Sequence, residues 1–537
     1  MSQNATGSLA ASIQSFHEVL EASQVLDAER AQGTYGANTL GLQRAIAGAL
    51  VVRSASEVQQ VVAIAAREGL ALYPISAGRN AGYGGAVPVR DGCVILDLSQ
   101  MKGIDAEHIE LGVVSLEPGV TQQDLRAYLD EHSLPYLVPV HGGGPNCSLV
   151  GNALERGYGI TPHADHFGAV TAIEAVLPNG ELYRTPLSDH GAPLVDQVFK
   201  WGVGPYLDGL FTQSNLGIVV RMTLVLAPFP ERIDTFFFGV ARHEQLDEAV
   251  AAVREALDTL GGVGGSINLM NTRRILSMTV PYPEGVAPGE VMADDYVRQT
   301  AKANQVLPWT GIGALYGDRR LLKAARAIVR AKLRGVAKRL LFVNPGLVRR
   351  VRGAVSLLPG QWSNQFVRTL DTLNKSLALI GGKPSGIALP LAYWKAGRQA
   401  ASVHALNPDQ DGCGLIWYSP LVPMKPEIVK EYVAMVDRVC RRHGIEPLIT
   451  LTSLSPRCFD STVPLLFDPA DQDASTRAHA CYAELIAAGR EIGVIPYRYP
   501  IDGMGYIVEG NQVYWQCVAR LKETLDPKGI CAPGRYA

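Results

Sequence analysis

Residues 74–85 read PISAGRNAGYGG, which sets four glycines among Ser76, Arg79, Asn80 and Tyr83. Glycine tolerates positive φ and lets another group approach the main chain closely. Successive free N–H groups in such a loop form an anion nest, and Ser76 and Asn80 add side-chain donors. A pyrophosphate suits that nest; the other reading is a bare structural turn. A second stretch, GNALERGYGITPHADHFG at 151–168, spaces Gly151, Gly157 and Gly159 where something flat could lie close. Two such stretches imply a large ligand with two kinds of contact, as a flavin dinucleotide would make. A Rossmann dinucleotide site is disfavoured, because Gly82-Tyr83-Gly84-Gly85 does not fit G-x-G-x-x-G opening a helix. No G-x-x-x-x-G-K-[ST] phosphate loop is present either.

The first loop must hang between two strands, LALYPIS (70–76) and CVILDLS (93–99). Before it, the apolar run ALVV (49–52) leads into Ser54-Ala55-Ser56-Glu57, a capping box. Val58, Val61, Val62 and Ala65 then repeat at helical spacing, and Gly69 closes that helix. LGVVSLEPGV runs into Thr121-x-x-Asp124 and an amphipathic helix through Leu125, Tyr128 and Leu129. Asn179-Gly180 marks the tip of a hairpin. The long strand LGIVVRMTLVLAP (216–228) ends at Pro228 and Pro230, where a domain boundary is expected.

At 537 residues the chain is long enough for several domains, and 47% hydrophobic against 19% charged residues describes a large globular core. A formal net charge of -2 gives no global attraction to nucleic acid or membranes. The eight cysteines contain no C-x-x-C pair, so neither a zinc ribbon nor a thioredoxin-like centre is expected, nor any other metal site. The start lacks a basic-then-apolar leader and no later run reaches membrane-spanning length, so a cytoplasmic protein is expected. Between Arg319 and Arg352 lie Arg320, Lys323, Arg326, Arg330, Lys332, Arg334, Lys338, Arg339, Arg349 and Arg350 with no acidic residue among them. That run reads either as a solvated helix face or as a docking surface for an acidic protein, an anionic lipid surface or an anionic ligand.

PISAGRNAGYGG, GNALERGYGITPHADHF, FKWGVGPYLDGLFTQSNLGI and the terminal DPKGICAPGR occur in this order across nearly the whole chain. Together they resemble the vanillyl-alcohol oxidase and 4-cresol dehydrogenase family of flavoenzymes. The resemblance implies an α+β fold with a two-part FAD-binding domain, residues 1–229 and 491–537, enclosing a cap at 230–490 that covers the substrate. It implies FAD held by Ile75, Ser76, Ala77, Gly78, Arg79, Asn80, Gly82, Gly151, Asn152, Gly157, Gly159 and Ile218. It places Tyr83, Tyr497 and Arg498 around a phenolic oxygen and Trp417 in the substrate pocket. The implied reaction is oxidation of a para-substituted phenol, a 4-alkylphenol or 4-hydroxybenzylic alcohol of lignin-derived type, through a quinone methide. A c-type cytochrome is an implied electron acceptor, and relatives form homo-oligomers.

Several positions depart from the family pattern. Oxidase members carry an aspartate ahead of GNALERG, where this chain has HGGGPNCSLVGN. The histidine that tethers flavin in relatives is replaced at Leu415, and the tether tyrosine falls on Ala392 with Tyr393 beside it. FAD is therefore expected to be dissociable, Tyr393 being the nearest residue for a tether. The paired histidines of relatives give way to RCFDST (457–462), which leaves the catalytic base unassigned. His163 and His166 are expected to be hydrogen-bonded structural histidines. Two other readings remain: a flavoenzyme for a non-phenolic alcohol or hydroxy acid, and a flavin-binding partner protein with little turnover.

Overall fold

The computed structural model describes residues 9–344, 346, 348, 374, 376–395, 406–509 and 512–536. Three sheets organise the chain. Strands β1 (Val25–Leu26), β2 (Ile46–Val51), β3 (Leu72–Ile75) and β4 (Cys93–Asp97) form the first, in the order β1-β2-β4-β3. The pairings of β2 and β3 with β4 are parallel. The second sheet contains β5 (Ile104–Asp105), β6 (Val113–Leu116), β7 (Val170–Val176), β8 (Leu182–Tyr183) and β9 (Ile218–Val225), ordered β5-β6-β9-β7-β8.

Local signals account for these elements. Ser54 caps the helix Ala55–Glu68 by accepting from the Glu57 N–H, and Gly69 ends it at φ 71°. The Glu57 carboxylate does not complete the expected box; it accepts from the Arg53 N–H and from Gln24 instead. Val58, Val61, Val62 and Ala65 are buried as their spacing demands, packed between the first sheet and Val176, Ile218 and Val220 of the second. Thr121 and Asp124 do cap each other's backbone N–H groups. Gly180 takes the positive φ that the β7–β8 turn needs.

The third sheet is built from β10 (Arg232–Val240), β11 (Gly264–Asn271), β12 (Trp309–Gly317), β13 (Ala337–Val343), β14 (Gly414–Tyr418), β15 (Pro420–Pro423), β16 (Thr450–Ser455), β17 (Cys458–Phe467) and β18 (Ile495–Pro496). Its order is β13-β10-β12-β11-β16-β17-β15-β18, with β14 also paired to β17. Helices Leu246–Leu260, Pro426–Arg442 and Gln472–Glu491 bury their apolar faces in the core of this sheet. The chain end then comes back to the first sheet. The Leu72 N–H donates to Ile530 O at 2.7 Å, and the Ala532 N–H to Leu72 O at 2.8 Å.

The basic run is only partly a free surface. Arg326 lies 2.5 Å from the fully buried Asp234 carboxylate and stacks on Phe342, as does Arg330. Arg319 pairs with Glu231 and Lys332 with Glu255. Arg320, Lys323 and Arg334 are exposed; Arg349, Arg350 and Arg352 lie outside the described residues. No helix among the described residues is long and apolar enough to cross a membrane.

Candidate active site

The loop between β3 and β4 forms one wall of a cavity of about 480 Å3 that the third sheet covers. Ala77, Gly78, Arg79, Asn80 and Ala81 all border this cavity, and none of their backbone N–H groups has an acceptor among the described residues. These residues are half-buried or, at Arg79, exposed, so their open amides are free to bind an anion. Ser76, Gly151, Asn152, Gly157 and Ile218 border the same space. At Gly151 an added Cβ would come within 3.1 Å of the Ser76 hydroxyl, which keeps this wall low.

Beside this loop the chain brings Tyr83, Tyr497 and Arg498 together. The Arg498 guanidinium lies 4.0 Å from the Tyr83 ring centroid. It donates to Asn80 Oδ1 at 2.6 Å and stands 2.9 Å from Glu155 Oε2. Glu155 also pairs with Arg535. The Tyr83 hydroxyl shares a 2.9 Å hydrogen bond with Ser419, and Tyr497 is anchored by its N–H to Ser419 O at 3.2 Å. Tyr158 packs edge-on against Tyr497 at 5.4 Å. Burial pushes the hydroxyls of Tyr83 and Tyr497 upward, so both stay protonated and able to donate. Trp417 borders the cavity and donates its backbone N–H to Gly82 O at 3.2 Å.

Two charged groups on the cap side complete the wall. Asp460, in β17, is 6% exposed, and its Oδ1 has no hydrogen-bond partner among the described residues. Burial alone pushes its carboxyl up to about 7. Arg274, in the helix Thr272–Thr279, borders the cavity with no carboxylate among the described residues paired to it, and burial lowers its guanidinium to about 10. His141 also borders the cavity, pressed down to about 4 by burial and then by Arg498, so it is neutral.

A family model described as an FAD binding domain matches residues 46–186. A 1'-carboxy-chondrochloren decarboxylase of Chondromyces crocatus is 34% identical over 99% of this chain and 98% of its own length. The flavoprotein subunit of a 4-cresol dehydrogenase [hydroxylating] from Pseudomonas putida is 28% identical over 91% of this chain and 87% of its own. The solved structure of p-cresol methylhydroxylase with substrate bound superposes with a TM-score of 0.87 at 26% identity, covering 99% of this chain and 98% of that one. The chain belongs to the vanillyl-alcohol oxidase and 4-cresol dehydrogenase family of flavoenzymes. FAD is its cofactor, and the five open amides fit a pyrophosphate.

Three expected residues of this family member stand elsewhere. Gly82 does not border the cavity; its missing Cβ makes room for the Trp417 ring, which would lie 2.1 Å away. Gly159 serves His166 in the same way, at 2.2 Å. Tyr393 is turned from the cavity, its hydroxyl donating to Asp411, while Ala392 and Leu415 border the cavity. A tether through Tyr393 is therefore not available in this arrangement. Neither His163 nor His166 borders the cavity; His166 instead lies 2.5 Å from the Asn152 amide.

Sequence reasoning named neither Asp460 nor Arg274. For Asp460 the signal was present: one acid inside the apolar strand CFDSTVPLLF is a buried carboxylate unless the strand bends outward. For Arg274 nothing distinguished it from its neighbour Arg273.

Proposed function

We propose that this flavoenzyme oxidises a para-substituted phenol at the carbon attached to the ring. The observation that carries the reading is the convergence on one cavity of Tyr83 with the adjacent pair Tyr497 and Arg498, more than four hundred residues away in sequence. A phenol in water has a pKa near ~10. A guanidinium and two neutral hydroxyl donors around its oxygen lower that value and favour the anion. The phenolate's electron density then assists departure of hydride from the ring-attached carbon, leaving a neutral quinone methide. When bound, FAD supplies the two-electron acceptor for that hydride.

Asp460 supplies the missing base. Poised near neutrality, it takes the hydroxyl proton of a 4-hydroxybenzylic alcohol as the aldehyde forms, or a proton from water adding to a quinone methide. Trp417 borders the space for the para chain.

One observation favours a second outcome from the same first step: the relative of 34% identity is named a decarboxylase. If the substrate's para chain carries a carboxylate on the carbon next to the oxidised one, CO2 can leave. Its bonding pair closes the new C=C bond and returns the ring to phenolate, so electrons balance with the single hydride lost.

The test is anaerobic mixing of FAD-loaded protein with 4-alkylphenols and 4-hydroxybenzyl alcohol. Bleaching of the flavin is expected, and Tyr497→Phe should slow it at least tenfold while FAD stays bound. Flavin that no phenol bleaches would overturn the proposal.

A further inference from the structure

The pair Arg273-Arg274 shows two fates for one residue type. Arg273 is fully paired: Nη1 donates to Glu446 at 2.6 Å, and Nη2 to Asp294 at 2.7 Å and to Met292 O at 2.9 Å. Arg274 has one side-chain partner, the Ser277 hydroxyl at 3.2 Å, and no acidic residue pairs with it among the described residues. A guanidinium carries five N–H donors, so most of its hydrogen-bonding capacity is open. Its backbone is fixed, because Asn271 Oδ1 caps the helix by accepting from the Arg274 N–H at 2.9 Å.

Its surroundings are apolar. The helix Thr272–Thr279 packs against Leu389–Tyr393, and Leu276, Leu391, Ala392 and Leu415 belong to one buried cluster there. A cation set in such a wall and reaching a cavity is costly unless an anion arrives to pair with it. The dinucleotide's phosphates already have the five open amides at Ala77–Ala81. The phenolic oxygen already has Arg498. A third anion is therefore called for, and it must come with the substrate.

We infer that Arg274 is a carboxylate-binding subsite, and that the substrate is a phenol whose para chain ends in, or carries, a carboxylate. The inference rests on the phenol reading above and deepens it. Both ends of the molecule are then held by arginines, Arg498 at the ring oxygen and Arg274 at the acid, with apolar wall between. The planar fork of Arg274 suits a carboxylate bidentately, which a lysine cannot reproduce. Such acids would also be favoured over simple cresols, which leave Arg274 without a counter-ion.

The test uses two phenols in which an ether oxygen replaces the ring-attached carbon, so that no hydride can leave: 4-propoxyphenol and 3-(4-hydroxyphenoxy)propanoate. Each is titrated into FAD-loaded protein by calorimetry. The acid should bind about tenfold to a hundredfold more tightly than the neutral phenol. Arg274→Gln should erase that gain and leave 4-propoxyphenol within about twofold of its original affinity, and Arg274→Lys should keep part of the gain. FAD content and melting temperature serve as folding controls. If the acid gains nothing in the wild-type protein, or keeps its gain in Arg274→Gln, the subsite is refuted while binding of 4-propoxyphenol leaves the phenol reading standing. If neither compound binds, both fall together.

Discussion

Asp460→Asn should make the protein more stable above neutral pH and less active. The carboxyl is 6% exposed and burial moves it from an ordinary 3.8 to about 7. The unfolded chain loses this proton near pH 4, whereas the folded protein holds it to about 7. Folding therefore takes up a proton between those values, and stability falls as pH rises through that window, then levels off. An interval of about three pH units at ~1.4 kcal/mol each amounts to about 4 kcal/mol, an upper bound because water can enter the cavity. Asparagine has no such titration. Denaturation midpoints at fixed excess FAD should match at about pH 4, separate in favour of the variant up to about pH 7, and stay separated beyond. In the same variant, turnover of 4-hydroxybenzyl alcohol should drop about 100-fold or more, the usual worth of a positioned base. Stability curves that run parallel across the range would refute the raised carboxyl; unchanged turnover of the alcohol would remove Asp460 from proton transfer.

Gly82→Ala would set a Cβ 2.1 Å from the Trp417 ring at a φ of +82°, so Trp417 must move. Weaker binding of phenols with FAD content unchanged is expected from parallel titrations. Arg326→Ala leaves the fully buried Asp234 with Arg232 as its remaining ion-pair partner, and a loss of about 3 kcal/mol is expected from urea midpoints. Any docking of a c-type cytochrome through this region is better probed at Arg320, Lys323 and Arg334, which are exposed, by the salt dependence of flavin reoxidation. Tyr393→Phe should leave the acid-precipitated pellet as colourless as that of the parent protein, because the Tyr393 hydroxyl is held by Asp411.

The cradle was legible because its signal is local. Glycines, Ser76 and Asn80 in one short loop between apolar strands admit a nest or a bare turn, and the open amides of Ala77–Ala81 favour the nest. The trio of Tyr83, Tyr497 and Arg498 was legible only through family motifs, since nothing in either segment alone says that they meet. The glycine signal itself was ambiguous. It marks close approach without saying of what, and at Gly82 and Gly159 the approaching groups are Trp417 and His166, not a ligand. The basic run misled for a related reason. Counting charges along the chain cannot show that Asp234, some ninety residues upstream and inside β10, waits beneath Arg326. Asp460 and Arg274 depend on antiparallel pairing and helix placement in the third sheet, which spacing along the chain does not encode.

The charge lining the cavity differs from that of the whole chain, and its pH dependence follows. Arg79, Arg274, Arg498 and Arg535 border it, against Glu155, Asp409 and Asp460. Burial lifts both Asp409 and Asp460 to about 7, with the Thr39 N–H and Arg79 opposing the shift at Asp409. Below that pH both aspartates are neutral and four arginines face Glu155 alone; above it they face three carboxylates. A chain of net charge -2 thus keeps a cationic interior, which suits a dinucleotide pyrophosphate, a phenolate and a carboxylate. Asp409 bears most directly on the cofactor, because Arg79 of the nest is among the charges acting on it. Affinity of the apoprotein for FAD should therefore weaken severalfold as pH rises through about 7, and Asp409→Asn should flatten that dependence. Fluorescence titration of FAD across this range measures it directly. An affinity that strengthens with rising pH would mean that the carboxylates in this wall stabilise the bound dinucleotide, and the cationic-interior argument would be wrong.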